Sequence, residues 1–364
     1  MPKKVPLLVC LGLIVIAGTR TVFAQEDDEA TSPPVKFSGS LSVSEVYDDN
    51  VLDYSPLDLN FLENNLKPQK FEISSAADYV NVLQLRLGVK GKWLSSPTIV
   101  NVRYHQYLYG KTHLKNFVSW AGEVKQYFWT KNYVSLAVDL SPHSYSRDLY
   151  YVQPRNPYLL RSRYIQAFYN KKGFSAAFGR KMTRQVTGEF EYQYAFAEYN
   201  PEFVERNSRL HRFNVQMRYN ISRIIQLRGA YRYSNLFSYG REILSANIAD
   251  VSSKSNRGSL GVDYSMRKLL TIPVSISLDY YYEHIIYISD KLYDPGPPKT
   301  GDQYHFGRLD NFSKIVVELS YPFLKVLDAS VEYSWEENKT NLPVGNDSGS
   351  YQTHRFGIGM KYSF

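Results

Sequence analysis

The sequence predicts an all-β protein, a transmembrane antiparallel up-and-down β-barrel of about fourteen strands, and three observations carry that expectation. Residues 355–364 alternate in character. Phe356, Ile358, Met360, Tyr362 and Phe364 are apolar, whereas Arg355, Gly357, Gly359, Lys361 and Ser363 are small or polar. A period of two marks a strand whose two faces meet different surroundings. The 364-residue chain also holds 32 tyrosines and 15% aromatic residues, with no apolar stretch after residue 24 long enough for a spanning helix. Aromatic belts at both membrane interfaces account for such an excess. Finally, from residue 36 onward, alternating segments are joined by connections that are by turns short and long.

The first residues read as an export leader. Lys3 and Lys4 form a basic start, Leu7 to Gly18 an apolar core too short to span a bilayer, and Val22-Phe23-Ala24 ends in a small residue before a cut. Residues 1–24 are therefore expected to be a signal peptide, with Arg20 closing the segment too early for a helical anchor. Cys10 is the single cysteine and lies within this leader, which excludes disulfides, zinc–thiolate sites and cysteine nucleophiles from the mature chain. Residues 25–35, beginning Gln25-Glu26-Asp27-Asp28-Glu29, are expected to form a disordered acidic tail on the periplasmic side. Residues 36–364 remain for the barrel.

Within it, strands are expected near 36–47, 78–94, 98–109, 117–129, 133–146, 160–182, 186–199, 209–221, 224–239, 257–267, 273–289, 310–320, 326–337 and 352–364. Phe213, Val215, Met217 and Tyr219 against Arg212, Asn214, Gln216 and Arg218 illustrate the pattern. With one face apolar, the other charged and no helices to cover either, only closure in lipid satisfies both faces and leaves no edge. Tight turns are expected at Ser95-Ser96-Pro97, Thr130-Lys131-Asn132, Met182–Gln185, Ser222-Arg223, Lys268–Ile272 and Tyr321–Lys325, with long loops at the other rim. Lys171-Lys172-Gly173 could instead be a hairpin turn inside 160–182, so twelve or sixteen strands stay open. Fourteen strands would enclose a cylinder roughly 28 Å across, wide enough for a watery lumen.

Two local patterns resemble known signals. The aromatic Phe364 closing its alternating strand resembles the β-signal read by the machinery that assembles outer-membrane barrels. The stretch Leu41 to Val51, with Tyr47-Asp48-Asp49-Asn50 at a strand end, resembles the opening of a broad family of β-barrel porins of bacterial outer membranes, and Glu191–Phe196 and Tyr231-Arg232-Tyr233 echo that family's aromatic strand ends. The resemblance implies an outer-membrane barrel of a Gram-negative bacterium, a porin or a channel linked to exopolysaccharide export. It brings no catalytic residues and no cofactor.

Inward faces carry the candidate chemistry. Arg86, Arg103, Arg212, Arg218, Arg228 and Arg232 are expected to line the lumen, as are Glu189, Glu191, Asp279, Glu283, Glu318 and Glu332. Opposed basic and acidic walls would impose a transverse field on permeants; alternatively the charges pair and hydrate a polar interior. In the first outer loop, Ser55-Pro56 is a good helix start. Leu57, Leu59, Phe61 and Leu62 would then fold into the mouth as a constriction or cover the rim. Asp48, Asp49, Asn50 and Asp53 offer calcium ligands, yet lack the Gly and Glu spacing of an EF-hand loop. The seven histidines show no paired ligand spacing, and His105 and His284 stand in no Ser–His grouping, so no enzyme, metal or cofactor is expected.

The resulting expectation is diffusion of small polar or anionic solutes through a charged lumen. The alternatives are an exit for an exported polysaccharide with periplasmic partners, and a structural or assembly barrel. Expected partners are outer-membrane lipids and the assembly machinery; arginines dispersed along strands argue against nucleic acid.

Overall fold

A computed structural model describes residues 35–66, 68–71, 73, 75–93, 95–152, 162–239, 250–269, 272–289, 305–341 and 349–364. The expected leader and nearly all of the acidic tail lie outside the described residues. Fourteen antiparallel strands close into one barrel in which each pairs with its sequence neighbour and β1 pairs with β14. They are β1 (Val35–Asp48), β2 (Asp78–Trp93), β3 (Ser96–Tyr109), β4 (Phe117–Phe128), β5 (Asn132–Val152), β6 (Ser162–Lys181) and β7 (Val186–Tyr199). There follow β8 (Ser208–Asn220), β9 (Ile225–Ser238), β10 (Ser253–Leu269), β11 (Ile272–Tyr287), β12 (Leu309–Leu324), β13 (Leu327–Thr340) and β14 (Tyr351–Ser363).

The count of fourteen is settled at Lys171-Lys172-Gly173. These residues continue β6 without a turn, pairing with Ser141, Leu140 and Asp139 on one side and with Ala197, Phe196 and Ala195 on the other. β5 runs farther than its alternation suggested because two irregularities interrupt the pattern, between Ser141 and Ser144 and between Tyr145 and Arg147. Pro142 has no N–H to give the ladder, and His143 takes a left-handed φ of 49° there. The His143 amide turns aside to donate to Asn170 Oδ1 at 2.8 Å, and beyond this bulge the strand resumes. A further shift lies between Pro322 and Leu324 on β12, again beside a proline with no N–H to give the ladder.

One parity on every strand faces outward. Phe213, Val215 and Met217 on β8, Val138 and Leu140 on β5, and Ile358 and Met360 on β14 remain exposed although apolar. In water such a surface would be costly; in a bilayer it is the required exterior. The opposite parity is mostly polar and carries most of the ionisable groups, with apolar exceptions such as Val80 and Val82 on β2 and Phe312 and Val316 on β12. The barrel therefore has its apolar layer outside and most of its charge within.

The first long connection does not wave in solvent. An eight-residue helix, α1 (Pro56–Glu63), begins where the sequence places it, with the Ser55 hydroxyl accepting from the Asp58 amide at 3.2 Å. Around it, Val51, Leu52, Tyr54, Phe71 and Ile73 form the principal buried apolar cluster of the described residues, together with Tyr145 of β5.

Candidate channel lumen

Strand register fixes which side chains share the interior. Arg86 lies directly opposite Arg103, Arg218 opposite Arg228, and Asn214 opposite Arg232. Glu191 faces Asn214 and Glu189 faces Gln216. Asp279 stands opposite Gly261 and Glu283 opposite Arg257, and Glu318 opposite Glu332. All have the parity opposite to the apolar exterior, which places the twelve charged candidates on the inner wall. His105 shares that wall, opposite Gln84. His284 has outward parity near the outer rim and shares its Nδ1 with Asn311 Oδ1 at 2.9 Å.

The inner charges are not sorted into opposed walls. On β9–β11 two arginines are neutralised by nearby carboxylates, whereas Arg212, Arg218 and Arg232 have no carboxylate within 4 Å among the described residues. Arg228 reaches Asp263 at 2.7 Å and Asp279 at 3.1 Å, and donates to Ser277 at 2.8 Å. Arg257 lies 3.7 Å from Glu283 and packs its guanidinium 4.7 Å from the centre of the Tyr281 ring. Arg212 donates to Gln193 Oε1 at 2.8 Å, Asn214 donates to Glu191 at 3.4 Å, and Glu189 accepts from the Tyr133 hydroxyl. Gly261 is what lets the Arg228 triad form: a β-carbon there would fall 2.2 Å from Asp279 Oδ1 and 3.3 Å from Arg228 Cζ. The sequence reading missed Arg257 and Asp263. Starting that strand at 257 rather than Ser253 left Arg257 at the rim, although Arg257, Ser259, Gly261 and Asp263 alternate with Gly258, Leu260, Val262 and Tyr264.

A different arrangement occupies β14, β1, β2 and β3. Lys36 faces Lys90, Arg86 faces Arg103, and Lys361 lies inward opposite Ser42 of β1 and Asp328 of β13. Like charges directly across an antiparallel pair repel. Among the described residues none of these five cations comes within 4 Å of a carboxylate. The nearest inward acid on β4, Glu123, is engaged with Lys125 at 3.5 Å and with the Asn101 amide at 3.3 Å. This sector gathers unpaired inward cations on four neighbouring strands.

At the outer mouth the first loop is tied down at its root. Asp48 accepts Arg355 Nε at 2.7 Å and the Asn50 amide at 3.0 Å; Asp49 accepts the His354 amide at 2.8 Å. Thr353 Oγ1 lies 3.0 Å from Oδ1 of both. Asn50 clamps both the N–H and the carbonyl of Tyr54 at 2.9 Å. The oxygens of Asp48, Asp49 and Asn50 considered for calcium thus accept from the chain itself, and among the described residues no group of three or more His, Cys, Asp or Glu is placed to hold a metal. Asp53 has a left-handed φ of 53° and lies 3.7 Å from Arg355 Nη2, while the Lys115 ammonium donates to the Val51 carbonyl. Burial raises the Asp53 carboxyl above the ordinary carboxylate range, outweighing the attraction of Lys115 and Arg355. Burial likewise lowers the Lys115 ammonium.

Of the four apolar residues singled out in this loop, Leu59, Phe61 and Leu62 pack on the buried cluster, and with them Tyr109 of β3, Leu114 and Phe168 of β6. Leu57 is half-buried outside it, and Asp58 pairs with Lys70 at 2.7 Å. The segment therefore leaves β1, rests against inner-wall residues as far as β5 and β6, and returns to β2, lying across that part of the outer mouth.

No known protein family matches the sequence, and no curated protein does. Among solved structures, an anion-selective porin from Comamonas acidovorans is similar at 8% identity and a TM-score of 0.46, covering 91% of this chain and 99% of that one. The outer membrane channel DcaP of Acinetobacter baumannii is similar at 11% identity and a TM-score of 0.46, covering 91% and 97%. A bacterial polysaccharide outer membrane secretin is similar at 9% identity and a TM-score of 0.42, covering 90% and 98%. At these values the likeness is one of barrel architecture, which the strand pairing establishes by itself.

Proposed function

We propose that this barrel is an outer-membrane channel through which small polar solutes diffuse, with anions favoured over cations. The observation that carries the reading is the sector of β14 and β1–β3, where five inward cations face the lumen with no carboxylate partner. On β9–β11, Arg228 and Arg257 are matched by Asp263, Asp279 and Glu283. Elsewhere on the wall, among the described residues, Arg212, Arg218 and Arg232 add unmatched positive charge and Glu318 and Glu332 unmatched negative charge. The sector of β14 and β1–β3 is where unpaired cations cluster on four neighbouring strands. Low-dielectric walls focus the field of such a cluster on whatever enters. The apolar exterior and the absence of sheet edges support a bilayer setting, and the lipid neighbours are then those of the outer membrane.

The test is the reversal potential of the purified protein in a planar bilayer under a KCl gradient. Wild type is expected to reverse on the chloride side. Replacing Arg86 and Arg103 together by Glu should move the reversal potential toward potassium. A cation-selective wild type would overturn the reading.

A further inference from the structure

Between β1, β2, β3 and β14, near the end of the barrel that carries the short turns, the inner wall is indented. Ser38, Ser40 and Ser363 are short, and Gly88 brings no side chain, so the wall recedes into a cavity of about 210 Å³. A β-carbon on Gly88 would lie 2.7 Å from Ser38 Oγ and 3.1 Å from Asn101 Oδ1, and so fill the recess. Arg86 and Lys361 border it, and no carboxylate lines it. Behind Arg86 stands Arg103, directly across the strand pair, so three cations lie at or behind the recess while no carboxylate lines it. The acids in register with its lining are Asp328, across from Lys361, and Glu123, across from Asn101 and already engaged with Lys125.

We propose that this recess binds a phosphate group, free or as a small phosphomonoester. A guanidinium, an ammonium and three hydroxyls converge there. That is more donors than a carboxylate's two oxygens readily use, but it suits a tetrahedral dianion. Asn101 already gives its amide hydrogen to Glu123, which turns its carbonyl oxygen toward the recess as an acceptor for a hydroxyl on the phosphate or its ester. The inference rests on the channel reading, since a solute reaches the recess through the lumen.

Titration calorimetry on the detergent-solubilised full chain tests it with inorganic phosphate, glycerol phosphate and acetate. Saturable binding of both phosphates is expected, with acetate at least about tenfold weaker. Arg86→Gln with Lys361→Gln should weaken phosphate by about tenfold or more. Lys131→Gln, which removes one charge from a periplasmic turn, should keep the wild-type affinity. Circular dichroism and the heat-dependent gel shift establish that each variant is folded. Absence of saturable phosphate binding, equal binding of acetate, or equal loss in Lys131→Gln would overturn the proposal. Absence of chloride conductance alongside retained phosphate binding would sink the channel reading and leave the recess standing.

Discussion

The ring of Phe364 lies over Gly39, in the space a side chain there would claim: a β-carbon on Gly39 would sit 2.4 Å from both Cε2 and Cζ of that ring. The two backbones exchange hydrogen bonds of 2.8 and 2.9 Å at the same point. The closing seam between β1 and β14 is thus locked by one aromatic ring seated on one bare backbone position. Gly39→Val should push the ring off and overpack the seam, costing about 1–3 kcal/mol. The gel temperature at which the folded band is lost should fall, whereas the same change at Gly258, where a β-carbon meets nothing within 4 Å, should be milder. Equal melting of the two variants would contradict the lock.

The Arg228 triad makes a second expectation. Asp263 and Asp279 neutralise this arginine across three strands, so replacing both by Asn frees its charge into the lumen. The reversal potential should move farther toward chloride, and the shift should shrink at high salt as screening shortens the range of the field. A Gly261→Ala barrel should behave similarly, because its methyl group displaces Asp279 from the guanidinium. No movement in either variant would mean that these charges do not face the conducting path.

Period-two alternation made the strands, their number and the inner parity legible, because lipid and water impose opposite demands on successive residues. It failed where the period itself fails. Pro142 and Pro322 break the ladder, so β5 and β12 run past their expected ends. Starting β10 at 257 left Arg257 at the rim, and Asp263, inside the expected strand, was passed over although its parity matches Arg257. Which charges remain unmatched depends on register between strands far apart in sequence, such as Lys361 beside Ser42, and no local pattern carries that. The helix at Pro56 was readable from its cap; its resting place against Tyr145 and Phe168 was not, since those contacts span roughly eighty to a hundred and ten residues of chain.

The loop that carries α1 covers part of the outer mouth, and removing 55–66 should therefore raise single-channel conductance. Truncation also removes Leu59, Phe61 and Leu62 from the cluster, so Tyr109 and Phe168 should become accessible to quenchers of aromatic fluorescence. Unchanged conductance after the deletion would show that the segment rests outside the ion path.

Asp53 sets the pH response of the same loop. Its Oδ1 is sealed from solvent and accepts no hydrogen bond among the described residues, and burial raises its carboxyl above the ordinary value. A group whose folded pKa lies above its unfolded one favours folding most below the unfolded value, and that contribution fades as pH rises through the folded one. Acidification from neutral toward the carboxylate range should therefore hold the loop in place rather than release it. Asp53→Asn should mimic the protonated state, and asparagine also tolerates the left-handed φ of 53°. Protease protection of 49–77 in this variant should equal or exceed wild type at neutral pH and lose its dependence on mild acid. If the variant's loop were cleaved faster, attraction to Lys115 and Arg355 would outweigh burial, and low pH would open the mouth instead.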